Sequence, residues 1–502
     1  MTAQAPTRVV ILGGGFGGLV AAERFERKMP KDGSVEVRLV SRDNYLLYTP
    51  MLAEVATGQI NPFHIAAPLR VFLRRVRVTQ AVVTGIDLQR RIVSIYYSAT
   101  QEADERPFDQ LVLALGSETS YHHTAGAETY AYPFKHLADA ARIRDRVLDC
   151  FEQAAHEDNP AHRQALLTFV VAGGGFSGVE LAAALADFMR DIRKFYPRLA
   201  GTKLHLVLAH HGHRLLEELN EASAAYTLRL LKQEGIAVRL NTSVTRVTED
   251  SVELEPGGTI PTRTVCWTAG VAPSSLVASL DVPKDRHGAV VVDGHLAVQG
   301  HPGVWAIGDC ASIPNPRDGG TYAPLAQNAE REGPVVADNV LATLRGDPLK
   351  TFDYRLLGTF ASLGQRTAVG QVFGRQYSGL HAWFLWRGVY LSKLPGWDRK
   401  IRVGIDWLLD FVLQPDVVNM HTDDRGPGNP SPPAPPASDA RPATAAQPSD
   451  GSPTPTGPSA TGSATAAPAG SAGGAGPAAT SAAPPSGADD TTQSSTAPTP
   501  GA

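Results

Sequence analysis

Gly13-x-Gly15-x-x-Gly18 follows directly on an apolar run, Val9–Leu12, and leads into a helical stretch, Leu19–Lys28. Glycines at this spacing bring backbone N–H groups to a diphosphate. The first permits a tight turn, the second lets phosphates approach the chain, and the third lets helix and strand pack closely. The phosphates then rest on the unpaired N–H groups of the helix N-terminus, where the dipole favours negative charge. Gly173-x-Gly175-x-x-Gly178 repeats the pattern after a second apolar run, Thr168–Ala172. Phe16 and Gly17 lie inside the first turn, Phe176 and Ser177 inside the second. Two such turns in one chain suit a flavoprotein that holds one dinucleotide on each and passes electrons between them. A third stretch, Gly303–Asp309, is an apolar strand ending in Gly308-Asp309. An Asp there can accept hydrogen bonds from ribityl hydroxyls of a flavin; the plainer alternative is a strand-end Asp capping the next turn.

The elements that must position these residues alternate between strand and helix. Val35–Val40 reads as the second strand of the first unit and delivers Ser41, Arg42 and Asp43 where an adenosine ribose is usually held by a carboxylate. A serine binds such a hydroxyl less strongly than a charged group does. Asn44–Gly58 carries aromatics and Pro50 where a chain would run past a flavin ring, or would form an ordinary packed loop and helix. Val76–Val83, Ile92–Tyr97 and Leu111–Leu115 read as strands. The last ends in Ala114-Leu115-Gly116-Ser117, small enough to cross near a cofactor. In the second unit, His136–Gln153 reads as a helix and Leu204–Ala209 as a strand ending in His210, His211, Gly212, His213 and Arg214. An acid there would favour NADH and an arginine would suit NADPH, so the choice of nicotinamide stays open. Glu221–Glu234 reads as a helix and Ala237–Leu240 as a strand, and Arg263–Gly270 ends in Thr268-Ala269-Gly270, echoing Ala114–Ser117. Tyr322–Leu341 places a helix start, near Ala326 and Gln327, where its dipole could stabilise a reduced flavin.

The chain has 502 residues and a net charge of −4, enough for two or three domains and without a basic field for nucleic acid. Its three cysteines, Cys150, Cys266 and Cys310, show neither metal spacing nor a close redox pair, so no metal site is expected. They fit a reducing, cytoplasmic setting. No early apolar segment reads as a secretory signal, and no apolar run of about 18 residues reads as a membrane span. Phe352–Val372 reads as β-rich. Residues 380–391 and 400–413 then read as two short helices carrying Trp383, Trp386, Trp397 and Trp407 among Arg387, Lys393, Arg399, Lys400 and Arg402. Apolar faces flanked by cations describe a helix lying on a membrane surface; a helical pair covering a domain or forming a dimer is the alternative. From Gly426 onward there is no Val, Ile, Leu, Met, Phe, Tyr or Trp, so residues 426–502 read as a disordered tail.

In combination, GGGFGG (13–18), DNYLLYTPMLAEVATG (43–58), GGGFSGVELAAAL (173–185), GVWAIGDCA (303–311) and APLAQNAEREG (323–333) resemble the type II NADH dehydrogenases, non-pumping NADH:quinone oxidoreductases of the two-dinucleotide flavoproteins. The resemblance covers roughly residues 7–420 and implies an α/β fold with two Rossmann-like domains, a C-terminal amphipathic region and the tail. The expected segments are 7–120 and 286–350 for FAD, 121–285 for NAD(P)H, and 351–420 for membrane association. The resemblance implies FAD held by Gly13, Gly15, Phe16, Gly17, Gly18, Ser41, Arg42, Pro50, Ala114, Gly116, Gly308, Asp309, Ala326 and Gln327. NADH, with NADPH not excluded, would lie on Gly173, Gly175, Phe176, Ser177, Gly178, Glu180, His210, Ala269 and Gly270. Glu180 matches a family glutamate near the nicotinamide and flavin, and is the catalytic candidate. Ala326-Gln327-x-Ala329 matches the start of a quinone-site motif AQxAxQ, with Arg331 in place of its final Gln. The implied partners are a membrane quinone, a membrane surface met through residues 380–413 and a second copy of the chain, at the cytoplasmic face of the cell membrane. Competing readings are a soluble electron acceptor, a sulfide:quinone oxidoreductase using Cys150 and Cys310, and a non-catalytic NADH-binding sensor.

Overall fold

A computed structural model describes residues 5–364 and 366–419. The expected tail, 426–502, lies outside the described residues. The strands that position the site are β1 (Thr7–Leu12), β2 (Val35–Ser41), β3 (Arg77–Gln80), β4 (Gln110–Leu113), β5 (Tyr132–Pro133), β6 (Thr168–Ala172), β7 (His205–Ala209), β8 (Ile236–Arg239), β9 (Thr264–Trp267) and β10 (Val304–Ala306). They form two parallel five-stranded sheets, ordered β10-β4-β1-β2-β3 and β5-β9-β6-β7-β8. β10 joins the first sheet from beyond the whole second sheet, so the first unit is closed by a late return of the chain. Val9, Ile11, Leu12, Phe169, Val170 and Val171 are fully buried, as expected of parallel strands covered on both faces.

Each glycine turn is shaped by the strand beside it. Gly13 has φ +107° and Gly173 φ +111°. A Cβ on Gly13 would stand 2.1 Å from the Ala114 carbonyl oxygen, and one on Gly173 2.6 Å from that of Thr268. The turns open the helices α1 (Phe16–Lys28) and, in the second unit, Phe176–Ile192. Gly18 and Gly178 sit against the Gly13 and Gly173 carbonyls, where a Cβ would approach to 1.9 Å in both units.

The expected Val76–Val83 strand divides. Arg77–Gln80 completes the first sheet, whereas Val82–Asp87 leaves it to pair with Ile92–Tyr97 in a separate antiparallel sheet with Glu102–Pro107. Glu102–Pro107 and the meander Ser243–Val247, Ser251–Glu255, Gly258–Pro261 had no sequence signature. Glu102–Pro107 has no buried residue and so no apolar face to mark it.

Three further helices, α2 (Ala326–Arg345), α3 (Gly379–Lys393) and α4 (Trp397–Val412), shape one end of the molecule. α4 is tied down by its polar side: Asp406 Oδ2 accepts from the Asn61 N–H at 3.1 Å and lies 2.5 Å from His64 Nδ1, and Trp407 Nε1 donates to Glu54 Oε1 at 3.0 Å. Its other face leaves Ile401, Ile405, Leu408, Leu409 and Val412 in solvent. The tryptophans depart from expectation. Trp383, Trp386 and Trp407 are buried and only Trp397, 79% exposed, faces outward. Arg387 is also internal, stacked 4.0 Å from the Trp383 ring centre and 4.5 Å from that of Trp407, and the two ring faces partly offset a burial that still lowers its pKa. No helix among the described residues is long and apolar enough to cross a membrane.

α2 lies across α1 at a crossing that only a residue without a side chain permits. A Cβ on Gly333 would stand 2.7 Å from the Gly17 oxygen and 2.8 Å from the Ala21 nitrogen. Arg24 Nε and Nη2 donate to Asp338 at 2.8 and 2.7 Å beside it. Gly333→Val is expected to lower the unfolding free energy by about 1–3 kcal/mol through overpacking, measured by urea denaturation, and to loosen the first glycine turn that α1 carries.

Candidate active site

The first helix-opening turn and the start of the second unit's helix, Phe176–Ile192, face one cleft of about 1200 Å³. Gly13, Gly15, Phe16, Gly17, Ser41, Arg42, Pro50, Ala114, Gly116, Gly308, Asp309, Ala326 and Gln327 line it, so all the FAD candidates meet there except Gly18, which is spent on helix–strand packing. Phe176, Ser177 and Glu180 from the second unit line the same cleft. Gly173, Gly175, Gly178, His210, Ala269 and Gly270 do not line it; they follow the second turn outward. Nothing stands within 4 Å of where a Cβ of Gly15 or Gly175 would be, so each turn keeps an open groove at the position where a diphosphate must approach. FAD fits this donor set: N–H groups at a helix start, an open groove, and a carboxylate further along the cleft.

That carboxylate is Asp309. Its Oδ2 accepts from Ser117 Oγ at 2.7 Å, and Ser117 Oγ in turn accepts from Lys135 Nζ at 2.7 Å, with Lys135 Nζ 3.8 Å from Asp309. β10 and β4 bring these groups together from opposite ends of the chain. Behind Asp309, the buried Glu332 on α2 accepts from the Gly308 N–H at 2.6 Å, fixing the turn that carries Asp309. Burial pushes Glu332 up to about 7, against the Gly308 hydrogen bond, with the Asp309 charge adding to the rise.

Glu180 closes the floor between the two units. Its Oε1 accepts from the Ser362 N–H at 2.9 Å. Burial pushes its pKa up to about 8; the Ser362 hydrogen bond opposes this and the Glu54 carboxyl adds to it. Below that pH Glu180 holds a proton, and with Oε1 taken by Ser362 the proton resides on Oε2. At the α3 end the cleft becomes aromatic: Phe16, Tyr48 and Tyr390 stack edge to face with ring centres 6.0 and 6.4 Å apart, and Tyr390 continues to Trp386 at 5.2 Å. Tyr390 Oη donates to the Phe360 carbonyl at 3.3 Å. Gln327, in the first turn of α2, donates from Nε2 to the Gly358 carbonyl at 2.9 Å and accepts from Tyr354 Oη at 3.2 Å.

Arg331 stands outside the cleft. One helical turn beyond Gln327, it is exposed with its guanidinium 5.6 Å from the Tyr354 ring centre, whereas Glu330 lines the cleft and pairs with Lys393 at 3.9 Å. Sequence reasoning missed Tyr48, Lys135, Glu330, Phe360, Tyr390 and Lys393 as lining residues. Only Tyr48 had a signal, its place in the aromatic stretch before Pro50. The cysteines stand apart from the site: all three are buried, none lines the cleft, and Cys150 lies beside Thr264 while Cys310 donates to the Ile307 carbonyl at 3.3 Å.

With this geometry in view, comparison with known proteins is decisive. Residues 7–333 match the pyridine nucleotide-disulphide oxidoreductase family, and residues 356–414 match the NDH2 C-terminal domain. A type II NADH:quinone oxidoreductase of Mycobacterium tuberculosis is 32% identical over 432 residues, covering 82% of this chain and 90% of its own. The chain belongs to the type II NADH:quinone oxidoreductases. A demethylphylloquinone reductase of Synechocystis is 32% identical, over 81% of this chain and 96% of its own. Among solved structures, NDH2 of Plasmodium falciparum in complex with NADH superposes with a TM-score of 0.76 at 20% identity, covering 82% of this chain and 99% of that one. The fold thus agrees with that of a type II NADH dehydrogenase over most of the chain.

The raised Glu332 has a sign that can be checked. Its folded pKa of about 7 exceeds the ordinary carboxyl value, so its contribution to stability is fully present below about pH 4.3 and is lost as pH rises through 7. Glu332→Gln is expected to flatten that part of the pH–stability curve, measured by urea denaturation between pH 5 and pH 8.

Proposed function

We propose that this type II NADH:quinone oxidoreductase takes hydride from NADH and delivers electrons to a membrane quinone, with no proton pumping. The observation that carries the reading is the single cleft: the first dinucleotide turn, the first residues of the second unit's helix, Asp309, Glu180 and an aromatic end at α3 all face the same space. When bound there, FAD accepts the hydride and passes two electrons to a quinone, which takes up two protons. The protein's part is positioning and electrostatics. On this reading Gly13, Gly15, Gly17 and the start of α1 hold the diphosphate, Asp309 anchors the ribityl chain, and Gly173, Gly175 and Phe176 hold the nicotinamide dinucleotide. Glu180 keeps a proton on Oε2 below about pH 8 beside the point where the two units meet. Gln327, Tyr48 and Tyr390 line the approach for a quinone entering from the α3 and α4 side. Residues 7–120 with 286–350 form the flavin part and 121–285 the nicotinamide part.

The apolar face of α4 supports a membrane surface as docking partner for residues 380–413. Leu380, Phe384 and Leu385 of α3 are also exposed, and Phe63 and Val71, 71% and 65% exposed, extend the apolar area into the first unit, where Arg399 Nη1 donates to the Phe63 carbonyl at 2.8 Å. Apolar residues with cations at their border suit an anionic leaflet. A homodimer on the cytoplasmic face is the further expectation that the family resemblance supplies. A sulfide:quinone reaction finds no support in the buried thiols, and a soluble acceptor would leave the apolar face of α4 without a role.

Anaerobic stopped-flow absorbance tests the reading. NADH should bleach the bound flavin, and a menaquinone or ubiquinone analogue should restore it; recovery only with a soluble acceptor would overturn the quinone assignment. In the same instrument, Gln327→Leu should leave bleaching by NADH within about twofold of wild type. It should slow quinone-driven recovery about tenfold, the effect of one lost hydrogen bond. Leu408→Glu with Val412→Glu should weaken co-sedimentation with anionic vesicles by at least about 100-fold, given about 1.5–3 kcal/mol for each apolar side chain kept from burial. Turnover with a water-soluble quinone should be unchanged; unaltered vesicle binding would remove α4 from the membrane contact.

A further inference from the structure

His210 directly follows strand β7, at the position from which such a turn ordinarily presents a carboxylate to the adenosine ribose of its dinucleotide. His210 is buried, and its Nδ1 accepts from the Gly174 N–H at 3.1 Å. A ring nitrogen that accepts carries no proton, so the imidazole is the neutral tautomer with its proton on Nε2. Nε2 is buried and makes no hydrogen bond. Glu217 Oε1 lies 3.6 Å from it. The same carboxylate oxygen would stand 2.1 Å from a Cβ at position 212, so Gly212 leaves the room in which Glu217 folds back over the strand end. The intervening loop is fixed to the glycine turn: the Leu216 N–H donates to the Gly174 carbonyl at 2.9 Å, and Arg214 Nη2 donates to the Glu217 carbonyl at 2.6 Å.

We propose that Glu217 supplies the carboxylate that the end of β7 lacks, binding the adenosine ribose 2′-hydroxyl of NADH together with His210 Nε2–H and excluding the 2′-phosphate of NADPH. The proposal rests on the reading of the second unit as the NADH site. Because Nε2 is covered, the half-exposed Glu217 side chain turns aside to admit a hydroxyl oxygen, which accepts from Nε2 and donates to Oε1. A hydroxyl satisfies both partners. A 2′-phosphate has no proton to give the carboxylate and meets its charge instead. Arg214, the cation that could offset that charge, is turned toward the loop carbonyl, and neutral His210 offers none. Glu217 is the group that touches the ribose. His210 both donates to it and, through Gly174, aligns the turn.

Isothermal titration of the full-length, flavin-loaded protein with NAD+ and with NADP+ tests the assignment without turnover. Wild type should bind NAD+ at least about tenfold more tightly than NADP+, as expected for one charged hydrogen bond gained on one side and a repulsion on the other. Glu217→Gln, at an exposed position, should bring that ratio to about threefold or less. His210→Ala should narrow it as well. His210→Gln, whose amide can accept from Gly174 and donate outward, should restore it. Equal affinities in the wild type, or an unchanged ratio in Glu217→Gln, would overturn the proposal; a ratio that His210→Gln fails to restore would remove His210 as the second donor. Because the ratio is read from binding, a failure of bound NADH to bleach the flavin would strike the electron-transfer reading and leave this one standing.

Discussion

The whole arrangement depends on backbone approaching backbone at distances no side chain allows. Gly13 lies against the end of β4 and Gly173 against the end of β9, each in a conformation that other residues avoid. Each contact holds a helix N-terminus at the edge of its sheet, with its free N–H groups directed outward. Gly333 applies the same constraint between helices, letting α2 cross α1 closely enough for Gln327 to reach the cleft that α1 opens and for Glu332 to hold the Gly308 turn behind it.

Electrostatics then separates the carboxyls by task. Asp338, outside the cleft, is held ionised by Arg24, Lys350 and Lys28, whose hydrogen bonds and charges outweigh its burial. Glu54, Glu180 and Glu332 lie where desolvation wins, because each has at most one distant cation and a single strong hydrogen bond. Glu180 lines the cleft and Glu332 lies behind it, and burial raises the pKa of all three. Asp309 is tied to Lys135 through Ser117 and lines the cleft.

The C-terminal helices show why an amphipathic pattern needs the tertiary context to be read. α3 and α4 divide their aromatic residues between an internal stack around Arg387 and an outer apolar face. The inner half links Glu54 to the helices through Trp407, and the aromatic row from Phe16 to Trp386 joins that stack to the first glycine turn. The surface that meets the outside is therefore coupled by packing to the surface that meets the flavin.

Both glycine turns, their strands and helices, Gly308-Asp309 and the helix start at Ala326–Gln327 were legible in the residues, because each is a local pattern in which apolar run, glycine spacing and helix follow one another along the chain. The family resemblance was legible for the same reason, since five such stretches occur in order. The rest was decided at long range. Lys135 and Ser117 meet Asp309 from far away in sequence; Tyr390 and Lys393 enter the cleft only once α3 has docked; and Arg331 leaves it because the Tyr354 ring lies within reach of the guanidinium on the outer side. The chain itself reports His210 where an acid is expected. Only the folded loop, which returns Glu217 to within 3.6 Å of that ring, shows which carboxylate stands there, because hydrogen bonds from Leu216 and Arg214 and the absence of a side chain at Gly212 fix its path.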